Sequence, residues 1–118
     1  MNTFRFLQFQ VYKEAKTFNR EIYLLTRNWR RNDYELADQL RRACLSVCLN
    51  LAEGSAKGSD RDFRRYIQNA LGSVNEVVSC LDIALSLKLL TNNHFEILKS
   101  KAENITKQLG GFSKRLKS

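Results

Sequence analysis

Apolar residues recur along four stretches of the chain at alternating three- and four-residue steps, the spacing of one face of an α-helix. An average step of about 3.5 residues places each set along one seam, as in helical bundles with shallow crossing angles. The four sets are Val11, Ala15, Phe18, Ile22, Leu25 and Trp29; Leu36, Leu40, Ala43, Val47 and Leu51; Phe63, Ile67, Ala70, Val74, Val77, Leu81 and Ala84; and Phe95, Leu98, Ala102, Ile105, Leu109, Phe112 and Leu116.

The polar segments between these stretches carry helix-start signals. Asn32 followed by Glu35 three residues later predicts a capping box, with Asn32 as the N-cap. Ser59 precedes two aspartates, which favour the positive end of a helix, so Ser59 is the predicted N-cap of the third helix. Residues 91–93 read TNN and offer further caps.

These signals predict helices near 5–29, 33–54, 60–89 and 93–116. Proline is absent and only five glycines interrupt the chain, whereas strand-rich folds need frequent turn residues. Short connections force neighbouring helices to be antiparallel. The sequence therefore predicts an all-α, up-down-up-down four-helix bundle that forms a single domain over residues 1–118.

The charge balance adds a class of partner to this picture. Twenty lysines and arginines against twelve acids give a net charge of +8, which favours phosphates, anionic lipids or acidic proteins. The basic residues cluster at the helix ends, and the clusters at 27–31 and 57–65 lie at opposite ends of the predicted bundle. The candidate nucleic-acid-binding residues are Arg27, Arg30, Arg31, Lys57, Arg61, Arg64, Arg65, Lys114, Arg115 and Lys117.

Polar residues also form a stripe along the second and third helices. Antiparallel pairing brings Arg41 or Arg42 within reach of Glu76, where we expect an ion pair, and Gly72 would permit a close backbone approach. The stripe is either a hydrogen-bond network that fixes packing or a binding groove, and its spacing favours the network. The residues assigned to this network or to a subunit interface are Gln39, Arg41, Arg42, Ser46, Asn50, Glu53, Ser73 and Glu76.

No pattern of catalytic or metal-binding residues is visible. Cys44 and Cys48 are one helical turn apart, but Cys80 and His94 fall too far away to complete a four-ligand zinc site, so no metal or other cofactor is expected. The Glu-x-x-His element of di-metal bundles is missing. We expect Trp29 to pack in the core, although it could stack on a base.

The absence of targeting signals predicts the cellular setting. The first residues lack the apolar core of a signal peptide, and no stretch is apolar enough to span a membrane. The cysteine count is odd, which fits reduced thiols in a cytoplasmic protein. We therefore expect a cytoplasmic location and no membrane partner.

A known family shares the order and spacing of several of these polar positions. Residues 39–43 read QLRRA and residues 50–54 read NLAEG, with Ser46 between them, and residues 23–26 read YLLT. This resembles the four-helix bundle proteins encoded in intervening sequences of bacterial 23S ribosomal RNA genes. The third helix resembles the same family at Phe63, Tyr66, Ala70, Gly72, Ser73 and Glu76.

The resemblance implies a bundle that assembles into a homopentamer. It also implies kinship with the accessory variability proteins of diversity-generating retroelements, which are basic pentameric barrels that bind nucleic acid and a reverse transcriptase. The leading hypothesis is a non-enzymatic, homopentameric accessory protein that binds RNA or DNA through repeated basic clusters. The alternative is a protein–protein interaction scaffold that does not bind nucleic acid directly.

Overall fold

A computed structural model describes residues 3–116, which form four α-helices and two one-turn 3-10 helices. The α-helices are α1 (Gln10–Thr26), α2 (Tyr34–Ser55), α3 (Asp60–Ser86) and α4 (Asn92–Arg115), and the 3-10 helices are Arg5–Gln8 and Arg31–Asp33. The described chain measures 45 × 22 × 19 Å. The longest dimension matches α3, because 27 residues span about 40 Å of helix. The prediction of an all-α four-helix bundle is confirmed.

Side-chain bonds between neighbouring helices show that the helices alternate in direction. Ser46 on α2 lies opposite Ser73 on α3, with 2.8 Å between their hydroxyl oxygens. Glu21 on α1 binds Lys101 on α4 at 2.7 Å, and further toward the start of α1, Glu14 accepts a bond from Asn104 at 2.7 Å. One bundle end therefore holds the α2–α3 turn, and the other holds the α1–α2 and α3–α4 turns.

The core is continuous along the bundle and uses the predicted seams. Ile22, Leu40, Ile67 and Leu109 are completely inaccessible to solvent. At the end with the α2–α3 turn, the rings of Phe9, Phe63 and Phe112 meet at centroid distances of 4.9–6.2 Å. The two contacts of Phe112 are edge-to-face and the Phe9–Phe63 contact is stacked, and both kinds stabilise a core beyond the area that they bury.

The first helix is shorter than the predicted range 5–29. Phe9 has an extended backbone (ψ 128°), which separates the 3-10 turn Arg5–Gln8 from α1. At the other end α1 stops at Thr26, where the Trp29 amide donates to the Thr26 carbonyl in a turn. Phe9 and Trp29 still pack against the core from outside the helix, so an apolar position does not show where the helix begins or ends.

The predicted capping box at Asn32 is wrong, whereas the caps of the last two helices are as expected. Asn32 lies inside the 3-10 turn Arg31–Asp33, and Asp33 is the N-cap of α2 without a side-chain capping bond. The Ser59 hydroxyl accepts from the Asp62 amide at 3.2 Å, and the Thr91 hydroxyl accepts from the His94 amide at 3.0 Å. These bonds satisfy amide groups that the first helical turn leaves free.

The third helix ends at Ser86 instead of near residue 89. Lys88 takes a left-handed backbone conformation (φ 61°). The Leu89 amide donates to the Ala84 carbonyl at 2.9 Å and the Lys88 amide donates to the Leu85 carbonyl at 3.0 Å. This pair of bonds is a Schellman motif, which stops a helix and is usually built on glycine.

Candidate nucleic-acid interface

The junction between α1 and α2 is fixed by one arginine. The Nε atom of Arg41 donates to the Thr26 hydroxyl at 2.7 Å, and its guanidinium lies 4.6 Å from the centre of the Tyr23 ring. Thr26 is buried, and its hydroxyl donates in turn to the Ile22 carbonyl at 2.9 Å. These contacts hold the Arg41 side chain in place between α1 and α2.

A surface depression of about 330 Å³ opens beside Arg41. Arg27, Arg30 and Arg31 line it, and all three are exposed without an ion-pair partner among residues 3–116. Trp29 and Tyr34 supply aromatic surface to the same depression. The predicted 27–31 cluster thus surrounds one concave site. The sequence showed this cluster only as a local excess of positive charge, without its concave arrangement.

Trp29 divides its surface between the core and the depression, and base stacking on it stays a prediction. It is half-buried and packs against the core, as expected, but it does so from the loop after α1. Its remaining surface faces the depression that the arginines line. The loop at residues 28–31 therefore combines a partly buried aromatic side chain with exposed cationic ones, a combination that suits nucleic acid.

The second basic cluster is at the opposite end of the bundle, and its side chains make different kinds of contact. Arg64 donates to the Leu116 carbonyl at 2.6 Å, which ties the start of α3 to the end of α4. Arg65 lies 3.6 Å from Asp62, and Lys57 lies 5.1 Å from the centre of the Tyr66 ring. Arg61 is exposed and has no ion-pair partner in the described part of the chain.

The end of α4 joins this second cluster. Lys114 and Arg115 are exposed, and the Arg115 guanidinium lies 5.5 Å from the centre of the Phe112 ring. Lys117 lies outside the described residues. Since α4 ends where α3 begins, the predicted 57–65 and C-terminal clusters form one basic surface, while the 27–31 cluster lies at the far end.

Arg5 is a member of this bundle end that the sequence did not single out. Its guanidinium donates to the Ser55 carbonyl at 3.0 Å and lies 5.8 and 5.5 Å from the centres of the Phe9 and Phe63 rings. In the sequence, the only signal for this role is that Arg5 lies between two phenylalanines, Phe4 and Phe6. These contacts give Arg5 a structural role, because they fasten the segment before α1 to the end of α2.

The polar stripe is a hydrogen-bond network between α2 and α3. Four of its groups form one continuous chain of hydrogen bonds. Ser73 donates to the Asn69 carbonyl at 3.1 Å, so Ser46 donates to Ser73. Asn50 completes the series by donating to the Ser46 hydroxyl at 3.0 Å. Each hydroxyl therefore donates once and accepts once, as a satisfied network requires.

The expected ion pair from Arg41 or Arg42 to Glu76 is wrong. Glu76 accepts a hydrogen bond from Gln39 instead. Arg42 reaches back one turn to Asp38 at 2.9 Å, and Arg41 points toward α1. Gln39 lies on the α3-facing side of α2, whereas Arg42 is about 60° and Arg41 about 160° around the helix from it.

Glu53 and Gly72 lie outside this network, the assignment of Glu53 to a subunit interface stays a prediction, and the close approach predicted at Gly72 is wrong. Glu53 is exposed and lines a cavity of about 520 Å³ with Phe4 and Leu49, away from Ser73. Gly72 is exposed, and a Cβ there would meet nothing within 4 Å, so the predicted close approach is absent. The close approach is at Gly54, where a Cβ would lie 2.7 Å from the Cβ of Tyr66.

The three cysteines are buried thiols. Burial raises the pKa of Cys44 to about 12 and the pKa of Cys48 to about 11, and it also raises the pKa of Cys80. A neutral buried thiol behaves as a small apolar side chain. Among residues 3–116 no three His, Cys, Asp or Glu side chains are grouped closely enough to hold a metal ion.

No helix within residues 3–116 has the length and apolar character needed to cross a membrane.

Comparison with known proteins identifies the family. A solved structure from Bacteroides thetaiotaomicron, of a protein with unknown function from the S23 ribosomal protein family, is similar in fold, with a TM-score of 0.80. The two sequences are 22% identical, and the match covers 88% of this chain and 98% of that one. No curated protein matches this sequence. The model of the family described as "23S rRNA-intervening sequence protein" matches residues 7–111, and the chain therefore belongs to that family.

Proposed function

We propose that the protein is a non-enzymatic, homopentameric accessory factor that binds RNA or DNA through repeated basic clusters. The observation that carries this proposal is the depression lined by Arg27, Arg30 and Arg31, whose guanidinium groups have no ion-pair partner in residues 3–116. Unpaired arginines gathered on one concave surface attract phosphates, and such binding is salt-sensitive and largely independent of sequence.

Assembly would multiply these contacts. The two basic clusters lie at opposite ends of a bundle 45 Å long, so one molecule offers two separated sites. A ring of identical subunits repeats each site around its axis, and weak contacts then combine through a high effective concentration. Five subunits is the number that the family resemblance implies.

Two apolar surfaces support self-association. Leu45 and Leu49 on α2 are 46% and 54% exposed, and Leu49 shares a cavity with Phe4, which is 60% exposed. Ile83 and Leu87, near the end of α3, are 46% and 55% exposed and lie one turn apart. Two different patches at different heights of the bundle suit a head-to-tail contact, which closes into a ring when the rotation allows.

The cellular setting is also part of the proposal. The free, buried cysteines suit a reducing compartment, for which we propose the cytoplasm. A protein partner such as a reverse transcriptase is proposed by family analogy alone.

Paired charge variants test the binding proposal. Arg30→Ala/Arg31→Ala removes two charges at one bundle end, and Lys57→Ala/Arg61→Ala removes two at the other. At low salt, each double variant should bind a mixed nucleic-acid pool more weakly than the unmodified protein, and the quadruple variant should lose at least about tenfold, since each lost phosphate contact weakens binding for all sequences. Equal binding by all four proteins, with helix content unchanged, would contradict the proposal.

The second candidate is an interaction scaffold without nucleic-acid binding, and the Leu45–Leu49 surface favours it. Leu49→Lys introduces a charge into this surface without touching the core. The expected result is a smaller solution mass, measured by light scattering, because a buried unpaired charge opposes association. A variant that dissociates while the unmodified protein binds no nucleic acid at low salt would select the scaffold over the leading proposal.

A further inference from the structure

We infer that the depression between α1 and α2 holds one unpaired nucleotide, with its base against Trp29 and its phosphates against Arg27, Arg30 and Arg31. This inference rests on the proposed function and adds that the strand is single at the point of contact. RNA and DNA share the chemistry, and the test below separates them.

The size of the depression suits a ligand as small as one nucleotide. Its volume of about 330 Å³ is near the lower limit of ligand pockets, which span roughly 300–1,000 Å³. A cavity of this size accommodates one nucleotide. A duplex keeps its bases stacked inside the helix, so a compact concave site reaches only its phosphates, whereas a loop or free strand can turn a base outward.

The aromatic lining gives the base a surface on which to stack. Trp29 is anchored because part of its side chain packs against the core, and the rest lines the depression. Tyr34 lines the same depression and is 58% exposed. Stacking on a fixed aromatic ring costs little side-chain entropy and tolerates every base, because each base has a π face.

The charges of the lining complement a phosphodiester. Arg27, Arg30 and Arg31 have no acidic partner in the described chain, so they can bind phosphate without breaking an ion pair. Asp38 is an acidic residue of the lining, and Arg42 binds it at 2.9 Å. Arg41 is held by Thr26 and Tyr23 and fixes the wall of the site.

The chain contains its own reporter for this contact, since Trp29 is its sole tryptophan. The experiment titrates the protein with single-stranded oligouridylate, single-stranded oligothymidylate and a duplex of equal length at low salt. Tryptophan emission reports stacking on Trp29, and the fluorescence anisotropy of labelled strands reports binding. We expect single strands to quench the emission and to bind at least about fivefold more tightly than the duplex. A difference between the two single strands assigns the preference for RNA or DNA.

Substitutions separate stacking from packing. Trp29→Phe keeps an aromatic ring, and Trp29→Leu keeps only apolar bulk. We expect Trp29→Leu to weaken single-strand binding by about tenfold, Trp29→Phe to weaken it by less, and neither to change duplex binding. Circular dichroism measures helix content and identifies any misfolded variant. If Trp29→Leu is misfolded, the test is the comparison of Trp29→Phe with the unmodified protein. Lys13→Ala removes an exposed charge of α1 that belongs to neither basic cluster, and this control should leave the quenching intact.

The failures of the two proposals are distinguishable. Binding of nucleic acid without a change in Trp29 emission, or with equal affinity for single strands and duplex, would overturn this inference and leave the proposed function standing. Absence of binding to every strand at low salt would overturn both.

Discussion

The hydroxyl groups of Ser46 and Ser73 lie 2.8 Å apart at the interface of α2 and α3. Both side chains are half-buried, and their bond links an amide donor, Asn50, to a carbonyl acceptor, Asn69. Two small polar residues thus link α2 and α3 at one register. An apolar seam alone tolerates small axial shifts, whereas a bond between fixed hydroxyls does not.

A double-mutant cycle at this pair should show coupling. Ser46→Ala and Ser73→Ala should each lower the free energy of unfolding by about 1 kcal/mol, because each leaves a half-buried partner without its bond. The double variant should lose less than the sum, since both partners are then removed. Denaturant unfolding at one protomer concentration measures the cycle, and strictly additive losses would show that the bond does not set the register.

Gly54 and Gly72 should respond in opposite ways to the same substitution. A Cβ at Gly54 would lie 2.7 Å from the Cβ of Tyr66 and 2.8 Å from a ring carbon of Phe63, whereas Gly72 faces open space. We expect Gly54→Ala to destabilise the protein by about 1–3 kcal/mol through overpacking. Gly72→Ala, its matched control, should stabilise it by about 1 kcal/mol through helix propensity. Chemical denaturation checks both, and a stabilising Gly54→Ala would refute the close approach.

The turn after α3 offers a stabilising substitution. Lys88 has a φ of 61°, a conformation that costs a residue with a side chain about 1 kcal/mol and glycine very little. Lys88→Gly should therefore raise the midpoint of thermal unfolding. Lys88→Ala removes the same charge without relieving the backbone and should not raise it. A similar midpoint for both variants would mean that charge, and not backbone conformation, matters at this position.

The thiols should be inert in the native protein. With a pKa of about 11, Cys48 is ionised in only about one molecule in a thousand at pH 8, and the thiolate is the reactive form. A thiol reagent should modify the cysteines only after denaturant is added. Above pH 9 the unfolded thiols ionise while the folded ones stay neutral, so their contribution to stability falls as the pH rises. Rapid native labelling of Cys44 or Cys48 at pH 8 would contradict their burial.

The sequence predicted the helices well wherever the side chains determine the outcome. The apolar seams identified the core, and Ser59 and Thr91 marked helix starts because their hydroxyls bond the adjacent amides. The boundaries that failed depend on backbone conformation. Neither the extended Phe9 nor the left-handed Lys88 belongs to a residue type that signals a break.

The candidate site was predicted in composition but not in arrangement. The sequence identified Arg27, Arg30 and Arg31, yet only the break after Thr26 turns them around a depression. The polar stripe was found from its spacing, but its pairing was not, because Arg42 prefers the local Asp38 to the more distant Glu76. A choice among several partners within reach depends on side-chain direction, which a helical repeat does not specify.

The salt dependence of nucleic-acid binding by the unmodified protein tests the central claim most directly. Fluorescence anisotropy would give the dissociation constant for a mixed pool of labelled RNA and DNA at salt concentrations from about 50 to 200 mM. We predict measurable binding at the lowest salt that weakens steeply as salt rises, with a slope that falls by about one for each phosphate-contacting arginine replaced. No binding at the lowest salt, or an affinity that salt does not change, would contradict the account.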